Sequence, residues 1–168
     1  MKHKFLLLYS WLIRTVMYFF PDIPMIMRFR GWCYSFGMKS SGNNFQVASN
    51  ALIKGLENIE VGTDCIIASN VIVDASTSLI ISDEVMVGYS AIIITGNHTL
   101  YRGSYRYGKP NRESIHIGKG SWIGGHSLIL AGSIIPPSSC IAGNTVMNKK
   151  LSKSGIYYRH SELKINEK

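Results

Sequence analysis

Residues 117–145 read IGKGSW IGGHSL ILAGSI IPPSSC IAGNT and divide into hexads that each begin with isoleucine. The residue four places after each isoleucine is small and polar: Ser121, Ser127, Ser133, Ser139 and Thr145. A six-residue period fits short strands wound into a parallel β-helix, in which each hexad forms part of one flat side. Residues two apart along a strand share a face, so each small residue and the next isoleucine point into the coil. The pattern predicts an all-β solenoid.

The same period runs through the preceding sequence, where it places aliphatic residues at Val47, Ile53, Val61, Ile67, Val73, Ile81, Val87 and Ile93. Two slips of two residues interrupt this earlier part, and we interpret both as bulges at corners of the coil. The period then fails from Thr95 to Ser114, a polar stretch rich in glycine and aromatic residues. We predict that residues 95–114 form a loop extruded from the coil. Long loops of this kind are usually functional.

Size and charge restrict the class of protein. The chain has 168 residues, which suits one domain. Its net charge of +8 fits either an anionic partner, such as cofactor phosphates, acidic lipid or nucleic acid, or a solvated basic surface. The cations gather at the two ends, at Lys2, Lys4, Arg14, Arg28 and Arg30 and at Lys149, Lys150, Lys153, Arg159, Lys164 and Lys168. No nucleic-acid-binding motif accompanies them, which argues against DNA or RNA as the partner.

The three cysteines, Cys33, Cys65 and Cys140, are an odd set without CxxC spacing. They are typical of small apolar residues in a reducing compartment, so we predict a cytoplasmic protein.

The first thirty residues differ from the repeats. Residues 5–20 are strongly apolar and are followed by Pro21 and Pro24, which we interpret as the end of an amphipathic helix. Sixteen residues are too few to span a bilayer comfortably, and no small-residue cleavage site indicates a signal peptide. Two interpretations stay open: a cap on the open end of the coil, or an in-plane anchor on an anionic membrane. The predicted organisation is a helical segment at 1–30, a β-helix at 31–151 and a basic tail at 152–168.

Within the predicted loop, His98 is the one side chain that titrates near neutrality. Imidazole is well matched to accepting a proton from a hydroxyl at physiological pH. An isolated loop histidine is more often a solvated side chain, so its surroundings decide between the two interpretations.

With its hexads, its extruded loop and the segment Ser121-Trp122-Ile123-Gly124-Gly125, the chain resembles the hexapeptide-repeat acyltransferases, in their sugar O-acetyltransferase branch. The resemblance covers about residues 45–151. It implies a left-handed parallel β-helix, generally a homotrimer, that binds acetyl-coenzyme A between neighbouring coils and needs no metal. Asn97 beside His98 and the Arg28-Phe29-Arg30-Gly31 segment, interpreted as the start of the coil, look most like the O-antigen and capsule enzymes.

The resemblance also implies roles for individual residues. His98 matches the general base, and Gly125 matches a backbone amide that stabilises the oxyanion. The cofactor-binding positions are Trp122, Gly125, Gly143, Lys149 and Lys150, and the acceptor-binding positions are Asn97, Tyr101 and Asn70. Glycine at 125 and 143 also suits plain corner geometry, and both interpretations can hold.

The chain departs from the maltose and galactoside enzymes in two places. An Asn-x-Asn segment precedes their Val-Asp step, whereas Ala68-Ser69-Asn70 precedes Val73-Asp74 here. Their C-terminal Gly-x-Pro-Ala turn is replaced by residues 155–159, GIYYR. The first departure points away from a maltose- or galactoside-like acceptor. Because of the second, the family's contacts between the C-terminal tail and the cofactor are not carried over to this chain.

We therefore predict an O-acetyltransferase that acts on a surface-polysaccharide sugar or its precursor. The alternatives are an acetyltransferase for a small soluble acceptor, such as a free sugar or serine, and a noncatalytic trimeric scaffold. A zinc site like that of γ-class carbonic anhydrases would use His98, His116 and His126. The family's second and third ligands are five residues apart, and the residue five after His116 is Ser121, so the spacing does not fit.

Overall fold

The computed structural model describes residues 2–159, as two helices followed by a parallel β-solenoid. Helix α1 spans Lys2–Met17 and helix α2 spans Pro24–Ser35, and a single 3₁₀ turn covers Leu56–Asn58. The strands, numbered in chain order, wind into three sheets that form the three sides of the coil.

Sheet A contains β1 (Ser40–Ser41), β4 (Ile59–Val61), β7 (Leu79–Ile81), β12 (Ile115–Ile117) and β15 (Ile134–Ile135). Sheet B contains β2 (Gln46–Val47), β5 (Ile66–Ile67), β8 (Met86–Val87), β13 (Trp122–Ile123), β16 (Cys140–Ile141) and β18 (Ile156–Tyr157). Sheet C contains β3 (Leu52–Lys54), β6 (Ile72–Asp74), β9 (Ile92–Ile94), β14 (Leu128–Leu130) and β17 (Val146–Met147). A separate two-stranded ribbon joins β10 (Gly96–Asn97) to β11 (Asn111–Arg112).

The interior of the coil confirms the hexad pattern. Every aliphatic residue of the predicted series, from Val47 to Ile141, is at most 4 % exposed. The five small polar residues of the later hexads are buried beside them, and Ser121, Ser127 and Ser133 donate hydrogen bonds to backbone carbonyls of adjacent corners. A buried hydroxyl costs little when it is paired in this way, so serine can occupy the narrow corners of an apolar core.

All departures from the six-residue period lie at one corner, the CA corner, where sheet C leads to the next strand of sheet A. The two slips fall at residues 55–58 and 75–78, and residues 95–114 leave the coil at the same corner one turn later. Gly55 begins the first bulge with φ 73°, and a Cβ there would lie 2.0 Å from the carbonyl oxygen of Ala75. Glycine is required at this position because the stacked turns approach too closely for a side chain.

The N-terminal region differs from its prediction. Pro24 begins a second helix instead of ending the helical segment, because proline at the first helical position loses no intrahelical hydrogen bond. The predicted boundary at residue 31 therefore falls inside α2, and the first strand begins at Ser40. A Cβ on Gly31 would lie 1.9 Å from the Phe45 carbonyl oxygen, so the glycine lets α2 lie directly on the first turn of the coil.

Arg30 is fully buried, which corrects its interpretation as a surface cation at the start of the coil. Its guanidinium donates to the carbonyls of Met17 (3.3 Å), Phe20 (3.2 Å) and Val47, and it pairs with Asp22 at 3.0 Å. The Met17 carbonyl at the end of α1 also accepts the Phe20 amide at 3.3 Å. Arg30 adds a second donor there and ties α1, α2 and the coil together.

The predicted basic tail begins inside the coil. β18 pairs with β16 in parallel, so residues 156–157 extend sheet B. Lys164 and Lys168 lie outside the described residues.

The cysteines fit their interpretation as small apolar residues. Cys65 is buried in the coil and Cys33 is partly buried under the helices, and none of the three forms a disulfide. Burial raises the pKa of the Cys33 and Cys65 thiols, so both stay protonated near neutral pH.

Candidate active site

The extruded loop leaves the coil as an antiparallel ribbon. Asn97 pairs with Asn111 and Gly96 with Arg112, one step beyond strand β9. Thr95 anchors the base, because its buried hydroxyl accepts the Thr77 amide at 3.0 Å and its carbonyl accepts the Glu113 amide at 3.0 Å. The ribbon gives the first loop residues a defined position that a free loop would lack.

His98 follows the ribbon directly and its imidazole is exposed. It lines a cleft of about 350 Å³ at the CA corner, and the cleft is lined by Asp74, Ser76, Ile94, Gly96, Asn97, His98, Pro110 and Arg112. Within residues 2–159 the imidazole has no hydrogen-bond partner, so both ring nitrogens are available to a bound molecule. Asn97, for which the resemblance implied a role in acceptor binding, lines the same cleft.

The sequence reasoning missed Asp74, Ser76 and Arg112 as members of the cleft. Asp74 occupies an outward position on β6 in register with Ile94 on β9. Aspartate is disfavoured in strands, so its occurrence in an otherwise aliphatic triplet was the signal that could have identified it. Arg112 reaches the cleft only because the ribbon pairs residues 96 and 112, and no sequence pattern indicates that pairing.

The tip of the loop is a tight turn with aromatic and cationic side chains. Tyr101 and Ser104 exchange two backbone hydrogen bonds of 3.0 Å, with Arg102 and Gly103 at positive φ between them. The Arg102 guanidinium lies 5.2 Å from the Tyr101 ring centroid, and Arg106 lies 5.8 Å from that of Tyr107. Residues 97–112 contain no carboxylate, so this surface carries only positive charge.

Gly125 and Gly143 stack on each other at the BC corner, where sheet B leads to sheet C. A Cβ on Gly125 would lie 3.1 Å from the Tyr89 carbonyl oxygen, and one on Gly143 would lie 3.1 Å from that of Gly125. Close stacking is thus one reason for glycine here. Neither amide donates a hydrogen bond to any residue from 2 to 159, which leaves both available as donors to a ligand.

Trp122 lies beside this corner. It projects outward from sheet B between Met86 and Cys140, and about half of its surface is exposed.

Asn70 also lies at the BC corner, two turns before Gly125, since it follows β5 whereas Gly125 follows β13. Its side-chain oxygen accepts a 2.7 Å hydrogen bond from the side-chain amide of Asn50, and its backbone amide donates to the side-chain oxygen of Asn50 at 3.0 Å. The two asparagines form a ladder between turns. The structure therefore places Asn70 at a different corner from His98, Asn97 and Tyr101 of the same chain.

Lys149 and Lys150 follow β17 and extend the edge of sheet A, where the Ile134 amide donates to the Lys149 carbonyl at 3.2 Å. Both side chains are exposed. Lys149 lines a cavity of about 560 Å³ together with Tyr157, Tyr158 and Arg159. This end of the coil presents cations next to aromatic rings.

The histidines considered as zinc ligands lie on three different elements. His98 is in the loop, His116 projects from sheet A and bonds the Ser82 hydroxyl at 3.2 Å, and His126 is at the BC corner. Among residues 2–159, no three His, Cys, Asp or Glu side chains form a group that could hold a metal ion.

Solved structures of several acetyltransferases have folds similar to that of this chain. A hexapeptide-repeat-containing acetyltransferase of Vibrio cholerae, solved with acetyl-coenzyme A, is 19% identical at a TM-score of 0.72 and matches 91% of this chain and 78% of its own. A maltose O-acetyltransferase of Clostridium difficile 630 is 21% identical at a TM-score of 0.75, over 88% of this chain and 78% of its own. A galactoside acetyltransferase solved with coenzyme A is 17% identical at a TM-score of 0.64, over 82% and 76%.

No protein-family model matches the chain, and the comparison with curated proteins gives no match. The likeness therefore comes from three-dimensional structure, and this chain has the β-solenoid fold of the hexapeptide-repeat acetyltransferases.

Proposed function

We propose that the protein is an acetyl-coenzyme A-dependent O-acetyltransferase that uses His98 as general base on a sugar hydroxyl. The observation that carries the proposal is the exposed imidazole of His98 in a polar cleft, on a fold shared with sugar acetyltransferases. One of the similar structures was solved with acetyl-coenzyme A and another with coenzyme A.

The reaction requires a group that accepts the proton of the acceptor hydroxyl and a hydrogen-bond donor that stabilises the oxyanion. His98 takes the proton of the acceptor hydroxyl while the oxygen attacks the thioester carbonyl carbon. The tetrahedral oxyanion then collapses, the C–S bond breaks, and the imidazolium returns the proton to the departing thiolate. A backbone amide such as that of Gly125 contributes on the order of 3 kcal/mol when it stabilises the oxyanion.

The proposed cofactor contacts use groups that the fold leaves available. The Gly125 and Gly143 amides are donors for the acyl carbonyl and the pantetheine arm, and Trp122 provides an apolar surface beside them. Lys149 and Lys150 are the cations assigned to the nucleotide phosphates. The rings of Tyr157 and Tyr158, next to Lys149, suit stacking on a base.

Replacing Lys149 by alanine is expected to raise KM for acetyl-coenzyme A on the order of tenfold and to leave kcat largely unchanged. A phosphate contact is equally present in the ground state and the transition state, so its loss weakens binding alone. Steady-state kinetics with Lys153→Ala as the matched control should show the effect only at position 149. A fall in kcat at unchanged KM would contradict the assignment.

A complete site needs two chains, because His98 lies at the CA corner and Gly125 at the BC corner of the same coil. The outer face of sheet C has Ile72, Ile92 and Ile94 at its centre, and none of residues 2–159 covers these three side chains. We propose a homotrimer with the active site between neighbouring subunits.

Light scattering should give three times the 18.7 kDa chain mass. Trimers assembled from His98→Ala chains, which lack the base, and Gly125→Val chains, whose side chain would obstruct approach of the thioester to the amide, should regain activity. Each mixed trimer contains one interface with both groups intact. Each variant alone serves as the control. A stable monomer, or mixed trimers without any activity, would contradict a shared site.

For the acceptor, we propose a surface-polysaccharide sugar or its precursor, bound by Asn97, Tyr101 and, from the BC corner, Asn70. The charged side chains of the loop are all cations and three of its tyrosines are exposed, which supports an acceptor that carries sugar rings with negative charge. Acetyl transfer should be measured on acidic oligosaccharides, neutral sugars and serine. A preference for a free neutral sugar or serine would favour the small-acceptor alternative, and coenzyme A binding without transfer would favour the scaffold.

A further inference from the structure

Helix α1 has two apolar faces, and only one of them is used by the fold. Leu6, Ser10, Ile13 and Met17 are buried against the first turn of the coil. At 100° per residue, the opposite side presents side chains that are each more than half exposed: Phe5, Leu8, Trp11, Leu12 and Val16. The helix therefore does cap the coil, and its outer face is left without a partner.

Helix α2 repeats this arrangement. Arg30, Gly31 and Tyr34 are buried, while Met25, Phe29, Trp32 and Phe36 form an exposed row on the other side. The Phe29 and Trp32 rings stack at 5.6 Å, and Trp32 meets Phe36 edge to face at 4.6 Å. We call the exposed rows of α1 and α2 the two apolar stripes.

The charges around the apolar stripes are almost all positive. Lys2, Lys4, Arg14 and Arg28 carry no partner carboxylate among the described residues. The one acidic residue from 2 to 36 is Asp22, which is occupied by Arg30 at 3.0 Å and by the Ser49 amide at 2.8 Å. The helical region therefore presents a net positive surface.

These features match the surface of an anionic bilayer. Aromatic and aliphatic side chains on one face of a helix enter the boundary between headgroups and acyl chains, and flanking cations meet the lipid phosphates. A second copy of the chain placed against this surface would bring like charges together, which is unfavourable. Within residues 2–159, no helix is long and apolar enough to cross a membrane, so the contact would lie in the plane of the surface.

We infer that α1 and α2 form a membrane-binding platform that holds the solenoid on an anionic bilayer through the two apolar stripes. The cap and the anchor are then the inner and outer faces of the same helices. The inference is independent of acetyl transfer, because it rests on the helices alone.

The test is sedimentation of the full chain with vesicles of phosphatidylcholine alone or mixed with phosphatidylglycerol, without acetyl-coenzyme A. We expect binding to the anionic vesicles that weakens as salt is raised. Lys4→Glu with Arg14→Glu should reduce the partition constant at least about 25-fold, since each cation near the surface contributes roughly fivefold. Lys109→Glu with Lys153→Glu, the same charge change elsewhere, should reduce it far less.

The apolar contribution is tested by two variants that leave the buried faces intact. Leu8→Ser with Trp11→Ser changes the α1 stripe, and Phe29→Ser with Trp32→Ser changes the α2 stripe. Each should lower binding at least about tenfold, given the apolar surface removed. Tyr105→Ser with Tyr107→Ser removes two equally exposed rings from the loop and should have no such effect. Unchanged binding in both stripe variants would overturn the inference.

Two further outcomes decide whether a bilayer or a second copy of the chain contacts the apolar stripes. If the stripe variants change the oligomeric mass in light scattering, the stripes pack between copies of the chain and the membrane inference is wrong. A measurement that keeps both helices intact is fluorescence of Trp11 and Trp32 in a Trp122→Phe background. Brominated lipids in anionic vesicles should quench this emission, and an unquenched signal at saturating lipid would also overturn the inference.

Discussion

Alanine in place of His98 is expected to lower acetyl-transfer turnover by roughly 10² to 10⁴ while coenzyme A affinity stays nearly unchanged. His98 is proposed to contact only the acceptor proton, at the CA corner, whereas the assigned cofactor groups Gly125, Gly143 and Lys149 lie on other parts of the coil. Loss of the base should therefore raise the free energy of the transition state and leave the affinity for the cofactor unchanged.

Two measurements make this result specific. Equilibrium binding of coenzyme A to His98→Ala should match that of the wild type, because the proposed base is not among the assigned cofactor contacts. His116→Ala is the matched control, since His116 projects from sheet A and bonds Ser82, and its turnover should be unchanged. Retention of more than about a tenth of wild-type turnover in His98→Ala would show that another group is the base.

Replacing Arg30 by methionine is expected to lower the free energy of unfolding by about 3–5 kcal/mol, because it removes the cation paired with Asp22 and the guanidinium hydrogen bonds to three carbonyls. The affected acceptors are Asp22 and the carbonyls of Met17, Phe20 and Val47. Few single substitutions away from the coil interior should cost as much.

Arg28→Met is the control, because Arg28 is exposed and makes a single hydrogen bond of 2.6 Å, to Asn44. It should cost less than about 1 kcal/mol. Urea denaturation followed by circular dichroism at one fixed protein concentration compares the two, since assembly makes stability depend on concentration. Equal costs would mean that the buried network contributes little.

The sequence predicted the coil well because its signal is local. Each hexad places its aliphatic residue and its small polar residue on the inner face, as at Ile123 and Ser127, regardless of how many turns lie above or below. The loop was equally visible, because a segment that leaves the coil has no reason to keep the period. The roles assigned to His98 and Gly125 stay predictions.

The N-terminal region was harder to predict because its signals depend on tertiary contacts. Pro24 is compatible with both the end and the start of a helix, and packing of Gly31 on Phe45 decides for the start. An arginine in an exposed-looking basic segment gives no indication of burial. Arg30 is buried because the end of α1, the start of α2 and the first turn meet around it.

The sequence by itself therefore determined the solenoid, its inward-facing residues and the position of the extruded loop, since a repeat is specified turn by turn. Only the tertiary structure decided which corner each insertion occupies and which distant residues meet there. It places Asp74 and Arg112 in the cleft with His98, and it separates His98 from Asn70 and Gly125. The physical reason is that corners are set by the sum of all turns between two residues, including every bulge, and by the pairing of β10 with β11.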